Sequence, residues 1–574
     1  MKPITSIFLA LALVACTTEA PKRQMAAPVS GSLYSEFEAR DDGASFYGPF
    51  VAATLAQHNE QYAEAARYYL SALNSDPDSR FVADRAFFQL LYAGRMEDAG
   101  KLAVNLQERD GGSNDDLVRI MYVLEAYHRE DWPEVRARLS ATKDTGFGFL
   151  VSPVLEAWSY AAEKDLPAAE AALAPLLSDP RLKSIGEEHK AYILDHLGQY
   201  DAATTAYLAL ANAEKPSSYQ PMVAYAHMLF QQGNTAQARD FLGEQTKRFN
   251  NNSFLMRESM RMSAGYPPSQ DAATPNGAAG AIFYSLGSEF AHGQSTQAAI
   301  VYMRLASYLM PEVAEIYLLL GDMLERLEVP AAAASAYAAV PDISPLRQLA
   351  HIKHIGALRA AGQAGQAEDL VRRGLRDNPG DQTLLVTMGD MMREQQNFTE
   401  AAVYYTQAID QLKQPRASDW FMFFARGVCY EQLGDWDKAE ADLVSSLRLK
   451  PNEPSVLNYL GYSWIDRGKN VEEAKGLIEK AIEQTPNDGF IMDSFGWVHF
   501  LTGDYGQAVD LLEQAVKLEP TDPTINHHLG DAYWRVGRKI EARFQWRHAL
   551  DSEPNETEKT EILQKLAAGL PELS

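Results

Sequence analysis

The segment MDSFGWVHF (492–500) holds the three side-chain types of a hydrolytic triad: Asp493, Ser494 and His499. In such a site the imidazole takes the proton of the serine hydroxyl, and the carboxylate orients the imidazole. Successive residues of an α-helix point about 100° apart, so a spacing of five separates Ser494 from His499 by about 140°. On a helix these side chains do not converge. The secondary structure around the segment therefore decides whether it is a reactive site or a packing element.

Other signatures of chemistry are missing from the sequence. It contains no phosphate-binding Walker loop, no GxSxG, no HExxH and no CxxC, the motifs that would indicate nucleotide, nucleophile, zinc or redox sites. His527 and His528 are adjacent, but neighbours on a helix diverge too far to chelate one metal ion. Cys429 has no second cysteine nearby and is interpreted as a small buried apolar residue. We therefore expect no catalytic residue, no metal and no cofactor.

Length and charge narrow the class of protein. The chain has 574 residues, of which 46% are hydrophobic and 22% charged, which is typical of a folded protein too long for one compact core. Its formal net charge is −25. An acidic chain is poorly suited to neutralise nucleic-acid phosphates or to hold an anionic membrane by surface charge. We expect several domains or one elongated array, and no nucleic-acid partner.

The first sixteen residues, MKPITSIFLALALVAC, have the features of an export signal. Lys2 precedes a mainly apolar run that is too short to span a bilayer as a helix. The run ends in Leu-Val-Ala-Cys, which resembles the lipobox of bacterial lipoproteins. The resemblance implies that residues 1–15 are a lipoprotein signal peptide and that Cys16 is acylated after cleavage. The alternative is an ordinary secretory signal followed by a chance cysteine.

The residues after Cys16 bear on where the anchor lies. The next residue is Thr17 rather than Asp, which resembles the outer-membrane address of the enterobacterial sorting rule. We therefore expect an outer-membrane anchor with the protein facing the periplasm, although inner versus outer sorting in this organism stays open. Residues 16–45 are mostly polar or small and are predicted to be a lipidated flexible tether.

A period of 34 residues runs through the C-terminal part of the chain. Gly530 follows Gly496 at this distance, and Ala542 follows Ala508. A fixed period of this length is typical of a solenoid of helix pairs. The pattern resembles the tetratricopeptide repeat (TPR). In 523–556 it is carried by Leu529, Gly530, Tyr533, Gly537, Ala542, Trp546, Ala549 and Pro554.

The resemblance implies an all-α fold, a right-handed TPR superhelical solenoid of about a dozen helix pairs. Glycine at position 8 of a repeat would let its two helices approach closely, and glycine at position 15 would end the first helix. The proline-rich segment 263–280 is predicted to be a loop between two arrays. The N-terminal, degenerate array would occupy 46–262 and the C-terminal array 281–556, followed by a cap helix and tail at 557–574.

Positions 2, 5, 9 and 12 of the first helix of each repeat lie away from its packing stripe. In TPR proteins these four positions, rather than the packing stripe, line the concave groove. The resemblance therefore makes the residues at these positions candidate contacts for a protein ligand. The predicted groove residues are Phe421, Phe424, Asn458, Tyr462, Phe490, Asp493, Trp497, Phe500, His527, Asp531 and Trp534. Large aromatics with a few polar groups are typical of a binding surface. The alternative is that they pack between successive first helices.

An acylated N-terminus followed by a long TPR array resembles a group of proteobacterial outer-membrane TPR lipoproteins, most clearly over 420–554. Members of that group act as adaptors that bind a periplasmic carboxyl-terminal processing protease and promote degradation of cell-wall hydrolases. The resemblance implies a non-catalytic scaffold whose partners are proteins, including a periplasmic protease and its substrates, and which holds the membrane through its lipid anchor. The alternative is a binding module for cell-wall glycan or an exported polymer.

Overall fold

The computed structural model describes residues 46–571, apart from 110–111, 142–147, 215, 217, 251, 269–272 and 294. Regular structure in these residues is helical throughout: thirty α-helices and one 3-10 turn, with no strand. The predicted all-α solenoid is confirmed, with more helix pairs than the dozen expected. No helix in the described part of the chain is long and apolar enough to cross a bilayer. The predicted signal peptide, Cys16 and tether lie outside the described residues.

The chain divides into two compact units between Arg347 and Gln348. The helices of the first unit are α1 (Tyr47–His58), α2 (Tyr62–Ser75), α3 (Arg80–Ala93), α4 (Met96–Glu108), α5 (Asp116–His128), α6 (Trp132–Ala141), α7 (Gly148–Ala162), α8 (Leu166–Ser178), α9 (Lys183–His196), α10 (Tyr200–Ala211), α11 (Gln220–Gln231), α12 (Thr235–Arg248), α13 (Ser253–Ser263), α14 (Pro275–His292), α15 (Thr296–Leu309), α16 (Ala314–Arg326) and α17 (Pro330–Ala338).

The second unit begins with α18, which starts at the boundary. Its helices are α18 (Arg347–Ala360), α19 (Ala364–Asp377), α20 (Gln382–Glu394), α21 (Phe398–Asp410), α22 (Trp420–Gln432), α23 (Trp436–Leu449), α24 (Pro454–Asp466), α25 (Val471–Gln484), α26 (Gly489–Leu501), α27 (Tyr505–Leu518), α28 (Pro523–Arg535), α29 (Lys539–Asp551) and α30 (Glu556–Ala568). The 3-10 turn, Ala417–Asp419, precedes α22.

The predicted loop at 263–280 falls inside the first unit, and its last six residues are helical, because α14 begins at Pro275. Helices α14 and α15 pack back on earlier helices of that unit. The Tyr127 hydroxyl donates to the Pro275 carbonyl at 3.0 Å, and the Arg304 guanidinium donates to the Tyr92 carbonyl at 3.3 Å. The segment is therefore an internal connection of the first compact unit, since the helices after it are held by helices before it.

Helix ends in the second unit follow the repeat pattern. At the start of α26 the Asp488 carboxylate accepts from the backbone N–H groups of Phe490 and Ile491, at 3.0 and 3.1 Å, and so caps the helix. Just after its end, Gly503 has a φ of +86°, a left-handed conformation that glycine adopts without strain. The prediction that position 15 ends the first helix is confirmed here.

Close approach within each pair depends on the glycine at position 8. A Cβ atom at Gly496 would lie 2.7 Å from Cγ of Leu512, and one at Gly530 would lie 2.4 Å from Cδ1 of Trp546. Leu512 and Trp546 are fully buried. The second helix of each pair thus occupies the space that a larger residue would need, as the sequence predicts.

Candidate interaction surface

The first helices of three successive repeats, α24, α26 and α28, line a cavity of about 460 Å³ together with the end of α22. This space is called the inner cavity. Its walls are formed by Glu431, Gln432, Asn458, Tyr459, Tyr462, Ser463, Asp466, Arg467, Phe490, Asp493, Ser494, Asp522, Thr524 and Ile525. Four predicted groove residues are therefore brought together in it: Asn458, Tyr462, Phe490 and Asp493. The Phe490 ring is 54% exposed.

The apparent hydrolytic triad does not form. Ser494 Oγ donates to the Phe490 carbonyl one helical turn earlier, at 3.0 Å. His499 Nδ1 lies 3.2 Å from an oxygen of Asp504, in the turn after α26. The two side chains thus have separate local partners, and the Asp493 carboxylate faces the next repeat. The segment is a packing element of a TPR helix, and no proton transfer from Ser494 to His499 is possible in this geometry.

Asp493 forms a buried pair with His528 of the following repeat. Both carboxylate oxygens lie 3.0 Å from His528 Nδ1, and both residues are at most 6% exposed. Burial lowers the pKa of His528, but the nearby Asp493 carboxylate outweighs it and raises that pKa above its ordinary value. The pair joins α26 to α28 across one repeat.

Trp497 and Phe500 also pack between these helices. The Trp497 ring stacks on the His528 imidazole with centroids 3.9 Å apart, and on Phe500 at 4.6 Å. Phe500 in turn contacts the core formed by α27, α28 and α29. The main contacts of Asp493, Trp497 and Phe500 are therefore with neighbouring helices of the chain, which is the packing role that the sequence analysis gave as the alternative to ligand binding. Of the three, only Asp493 also reaches the wall of the inner cavity.

The predicted groove residues of α28 are covered by the cap helix α30. Lys565 Nζ lies 2.6 Å from an oxygen of Asp531 and 2.7 Å from Nε2 of His527. Glu558 lies 3.4 Å from the other nitrogen of His527, and Trp546 Nε1 donates to Asp531 at 2.9 Å. Because Asp531 and His527 are 2% and 5% exposed, they contact the chain's own residues rather than an open groove. The prediction placed them on a free surface, and the cap helix removes them from it.

The three remaining aromatic candidates are half-buried. The Trp534 ring packs against Trp546 with centroids 5.3 Å apart, and the Lys539 ammonium lies 5.0 Å from its centroid. Phe424 meets Tyr459 edge-on at 5.6 Å, and Phe421 lies 6.5 Å from Phe424. None of the three lines the inner cavity. Apart from Asp493, which is paired with His528, the predicted residues that line it are Asn458, Tyr462 and Phe490.

Several cavity residues lie at repeat positions that the sequence analysis did not consider. The Tyr459 hydroxyl donates to Glu431, and Ser463 Oγ donates to the same carboxylate at 3.0 Å. The Arg467 guanidinium lies 3.1 Å from Glu431 and 4.1 Å from the Trp436 ring centroid. Asp466 could have been found from the sequence. It is a carboxylate at the last position of α24, where the helix dipole disfavours negative charge, so its position there is a sign of a role other than helix stability.

The inner cavity carries an excess of negative charge. Its described lining includes the carboxylates of Glu431, Asp466, Asp493 and Asp522, and a single guanidinium, that of Arg467. Burial raises the pKa of Tyr462, and the nearby carboxylates of Asp493 and Asp466 raise it further. The arrangement is suited to holding a ligand by aromatic contact and charge, and it offers no nucleophile beside a free base.

The other candidates for chemistry are buried side chains. Cys429 is fully buried, and burial raises the pKa of its thiol to about 11, so the thiol is protonated at neutral pH. This agrees with its interpretation as a small apolar residue. His527 and His528 pair with different carboxylates. Among the described residues no group of three His, Cys, Asp or Glu side chains is arranged to hold a metal ion.

Three segments of the chain match family models of this repeat. The model described as TPR repeat matches residues 496–537, and the model described as Tetratricopeptide repeat matches 288–347 and 424–489. The matches lie on helix pairs of both compact units. Together with the all-helical fold they establish that the chain carries tetratricopeptide repeats, an architecture typical of non-catalytic scaffolds that bind proteins.

Similar proteins share only part of the chain. The TPR repeat-containing protein PA4667 of Pseudomonas aeruginosa is 33% identical over 125 residues, which are 22% of this chain and 21% of that protein. Human aspartyl/asparaginyl beta-hydroxylase is 33% identical over 98 residues, 16% of this chain and 12% of the hydroxylase. This chain thus spans about a fifth or less of these relatives. The solved Cut9–Hcn1 hetero-tetramer of APC/C aligns with 91% of this chain and 96% of its own, at 14% identity and a TM-score of 0.37.

Proposed function

We propose that this TPR chain is a non-catalytic scaffold of the bacterial cell envelope that holds protein partners on the inner cavity. In its finer form the proposal is an adaptor, anchored in the outer membrane through acylated Cys16 and facing the periplasm. The adaptor recruits a carboxyl-terminal processing protease to cell-wall hydrolases. The finer role is supported by the likeness of the N-terminal signal and of 420–554 to lipoproteins with that activity.

The observation that carries the proposal is the opening between the first helices of the repeats. In α28 the side chains at positions 5 and 9 of the repeat, His527 and Asp531, are bonded to Lys565 of the cap helix α30. At α24 the equivalent residues, Asn458 and Tyr462, face a cavity of about 460 Å³. Aromatic side chains in a desolvated recess contribute strongly to protein recognition. A scaffold needs such a place, and packing alone does not.

The experiment is affinity capture with the full chain, tagged within 17–45, from envelope extracts of the source organism. The double variant Tyr462→Ala with Phe490→Ala opens the cavity wall without touching the buried Asp493–His528 pair. Phe544→Ala is the matched control, because Phe544 is 63% exposed on α29, away from the cavity. We expect a carboxyl-terminal processing protease or a cell-wall hydrolase to be captured by the control and lost from the double variant.

Capture that is equal for all three chains contradicts the assignment of the inner cavity. Circular dichroism of each variant checks that the helices are intact. The anchor is tested separately: Cys16→Ser moves the protein from the membrane fraction to the soluble fraction if the cysteine is acylated. Membrane association that survives this change contradicts the lipid anchor but leaves the scaffold proposal standing.

Binding of cell-wall glycan or of an exported polymer is the second candidate. It is favoured by the aromatic rings of Tyr459, Tyr462 and Phe490 in the same cavity, since such rings stack on sugars. Purified sacculus free of protein distinguishes the two. Retention on the sacculus that requires Tyr462 and Phe490, without a captured protein, supports glycan binding. Absence of retention, with protein capture intact, supports the scaffold.

A further inference from the structure

The inner cavity has unbalanced acidic groups at its mouth. Of its four carboxylates, Glu431 is neutralised by Arg467 and Asp493 faces His528. Asp522 caps α28, where it accepts from the Ile525 N–H at 2.9 Å. Asp466 is exposed and forms no ion pair with another described residue. It also stands at the negative end of the dipole of α24, so a bound cation would remove an unfavourable interaction there.

The walls add two features that suit a cation with N–H groups. Oδ1 of Asn458 is a buried acceptor without a hydrogen-bond donor among the described residues. The rings of Tyr462 and Phe490 line the same space, and the face of an aromatic ring attracts an ammonium or guanidinium group. The one guanidinium in the described lining, that of Arg467, is directed to Glu431 and to the Trp436 ring. It therefore leaves the cavity acidic.

The same face already binds a lysine ammonium two repeats later. In α28, positions 5 and 9 of the repeat are His527 and Asp531, and Lys565 Nζ lies within 2.7 Å of both side chains. The cap helix α30 supplies this ammonium. In α24 positions 5 and 9 are Asn458 and Tyr462, which line the inner cavity, and neither is bonded to a described lysine or arginine. The chain thus provides an internal example of a cation held at these two positions.

We infer that the inner cavity binds a basic side chain, the guanidinium of arginine or the ammonium of lysine, exposed on a protein partner. The inference rests on the proposed function, in which this cavity contacts proteins, and it adds the chemistry of the contact. The cation lies between the rings of Tyr462 and Phe490 and donates to Oδ1 of Asn458. Asp466, about two turns further along α24, attracts it through the electric field of the cavity rather than by direct contact. An acidic or purely apolar partner segment does not satisfy these groups.

Three capped tripeptides test this: acetyl-Gly-Arg-Gly-amide, its lysine counterpart and its citrulline counterpart, which keeps the shape of arginine without its charge. Each is titrated against the full chain carrying Cys16→Ser, and binding is followed by ligand-observed NMR. We expect the arginine and lysine peptides to bind about tenfold more tightly than the citrulline peptide, and the difference to shrink at high salt.

Two variants place the binding in the inner cavity. Asp466→Asn removes the charge, and Tyr462→Ala removes one ring; each is expected to weaken arginine-peptide binding at least about threefold. Asp437→Asn is the matched control, an exposed carboxylate on α23, and should leave binding unchanged. Equal binding of the arginine and citrulline peptides overturns the inference, as does arginine binding that neither cavity variant changes.

Failure of this inference is distinguishable from failure of the proposed function. Partner capture that depends on Tyr462 and Phe490, without a preference for the charged peptides, overturns the inference and leaves the scaffold in place. A preference for the charged peptides that depends on Asp466, with no partner captured, supports the cation chemistry and overturns the assignment of a protein partner.

Discussion

Nδ1 of His528 lies 3.0 Å from each carboxylate oxygen of Asp493, one repeat earlier in the chain. Both residues are buried, and the His528 imidazole stacks on the Trp497 ring with centroids 3.9 Å apart. A carboxylate that first suggested a catalytic triad is thus a connection between neighbouring repeats. Its energetic weight depends on the charge of the imidazole, since a buried carboxylate without a counter-charge is costly.

The stability of the second unit should therefore depend on the protonation of His528. The pKa of His528 is raised in the folded chain, so its contribution is complete below about pH 6.5, the ordinary value for histidine. It is lost as the pH rises through the folded-state value. The free energy of unfolding relative to His528→Gln should fall by about 1 kcal/mol between pH 5.5 and 8.5.

Urea midpoints followed by tryptophan fluorescence measure this difference. His58→Gln, at an exposed histidine of the other unit, is the control and should keep the pH dependence of the unchanged chain. If His528→Gln loses stability with pH as steeply as the unchanged chain does, another group is responsible.

Lys565→Met should loosen the cap helix. It leaves the Asp531 carboxylate, which is 2% exposed, without its ammonium partner, and breaking such a buried pair costs about 3 kcal/mol. Hydrogen exchange in 556–568 should become faster. Lys559→Met on the same helix is the control, because Lys559 pairs with the exposed Glu556 and such pairs contribute at most about 1 kcal/mol. Equal exchange in the two variants would contradict the role given to Lys565.

Two glycine-to-alanine changes should have opposite signs. At Gly530 a Cβ would lie 2.4 Å from Trp546, so Gly530→Ala should lower the free energy of unfolding by about 2 kcal/mol through overpacking. Gly476 is in the middle of α25, and a Cβ added there would have no atom within 4 Å. Gly476→Ala should raise stability by about 0.5–1 kcal/mol, because alanine favours the helix. Thermal unfolding compares them, and destabilisation by both would refute the packing argument.

Asp466→Asn should cost no stability. The carboxylate ends α24 and pairs with no described cation, so its removal relieves an unfavourable interaction with the helix dipole of about 0.3–1 kcal/mol. Asp488→Ala is the contrasting change, since Asp488 caps α26 and the loss of such a cap costs about 1 kcal/mol. Chemical denaturation measures the free energy of unfolding of each variant. If both values are lower than that of the unchanged chain, Asp466 is a structural residue rather than a binding residue.

Cys429 should resist alkylation while the protein is folded. In a chain with Cys16→Ser it is the one remaining thiol, and burial raises its pKa to about 11. At pH 8 the thiol is therefore both protonated and inaccessible to iodoacetamide. Mass spectrometry should find the label only after urea is added. Complete labelling of the folded chain within minutes would show that α22 opens readily.

The local architecture follows from residues that the sequence displays directly. Gly496 and Gly530 recur at the repeat length, and each sits where a Cβ would collide with the partner helix. Gly503 adopts the left-handed backbone that ends α26. These features are local, since they depend on residues within one repeat, and a periodic pattern is therefore enough to predict them.

Whether a predicted groove residue is open depends on contacts between repeats, and the repeat pattern does not predict those contacts. Position 9 is Tyr462 in one repeat and Asp531 in another, and the pattern treats them alike. In the structure Tyr462 faces the inner cavity, whereas Asp531 is bonded to Lys565 and Trp546. The same limit applies to the segment 263–280, which lies inside one compact unit because α14 and α15 pack on helices far earlier in the chain.

The sequence by itself determined that MDSFGWVHF is helical, that its Phe495 and Gly496 face the partner helix, and that Ser494 and His499 diverge. The tertiary structure decided that Asp493 is bonded to His528, that α30 covers His527 and Asp531, and that Tyr462 and Phe490 stay open. The physical reason is the distance along the chain between the residues that interact. Helix periodicity places side chains on a stripe, but burial and charge pairing depend on which later helix reaches that stripe.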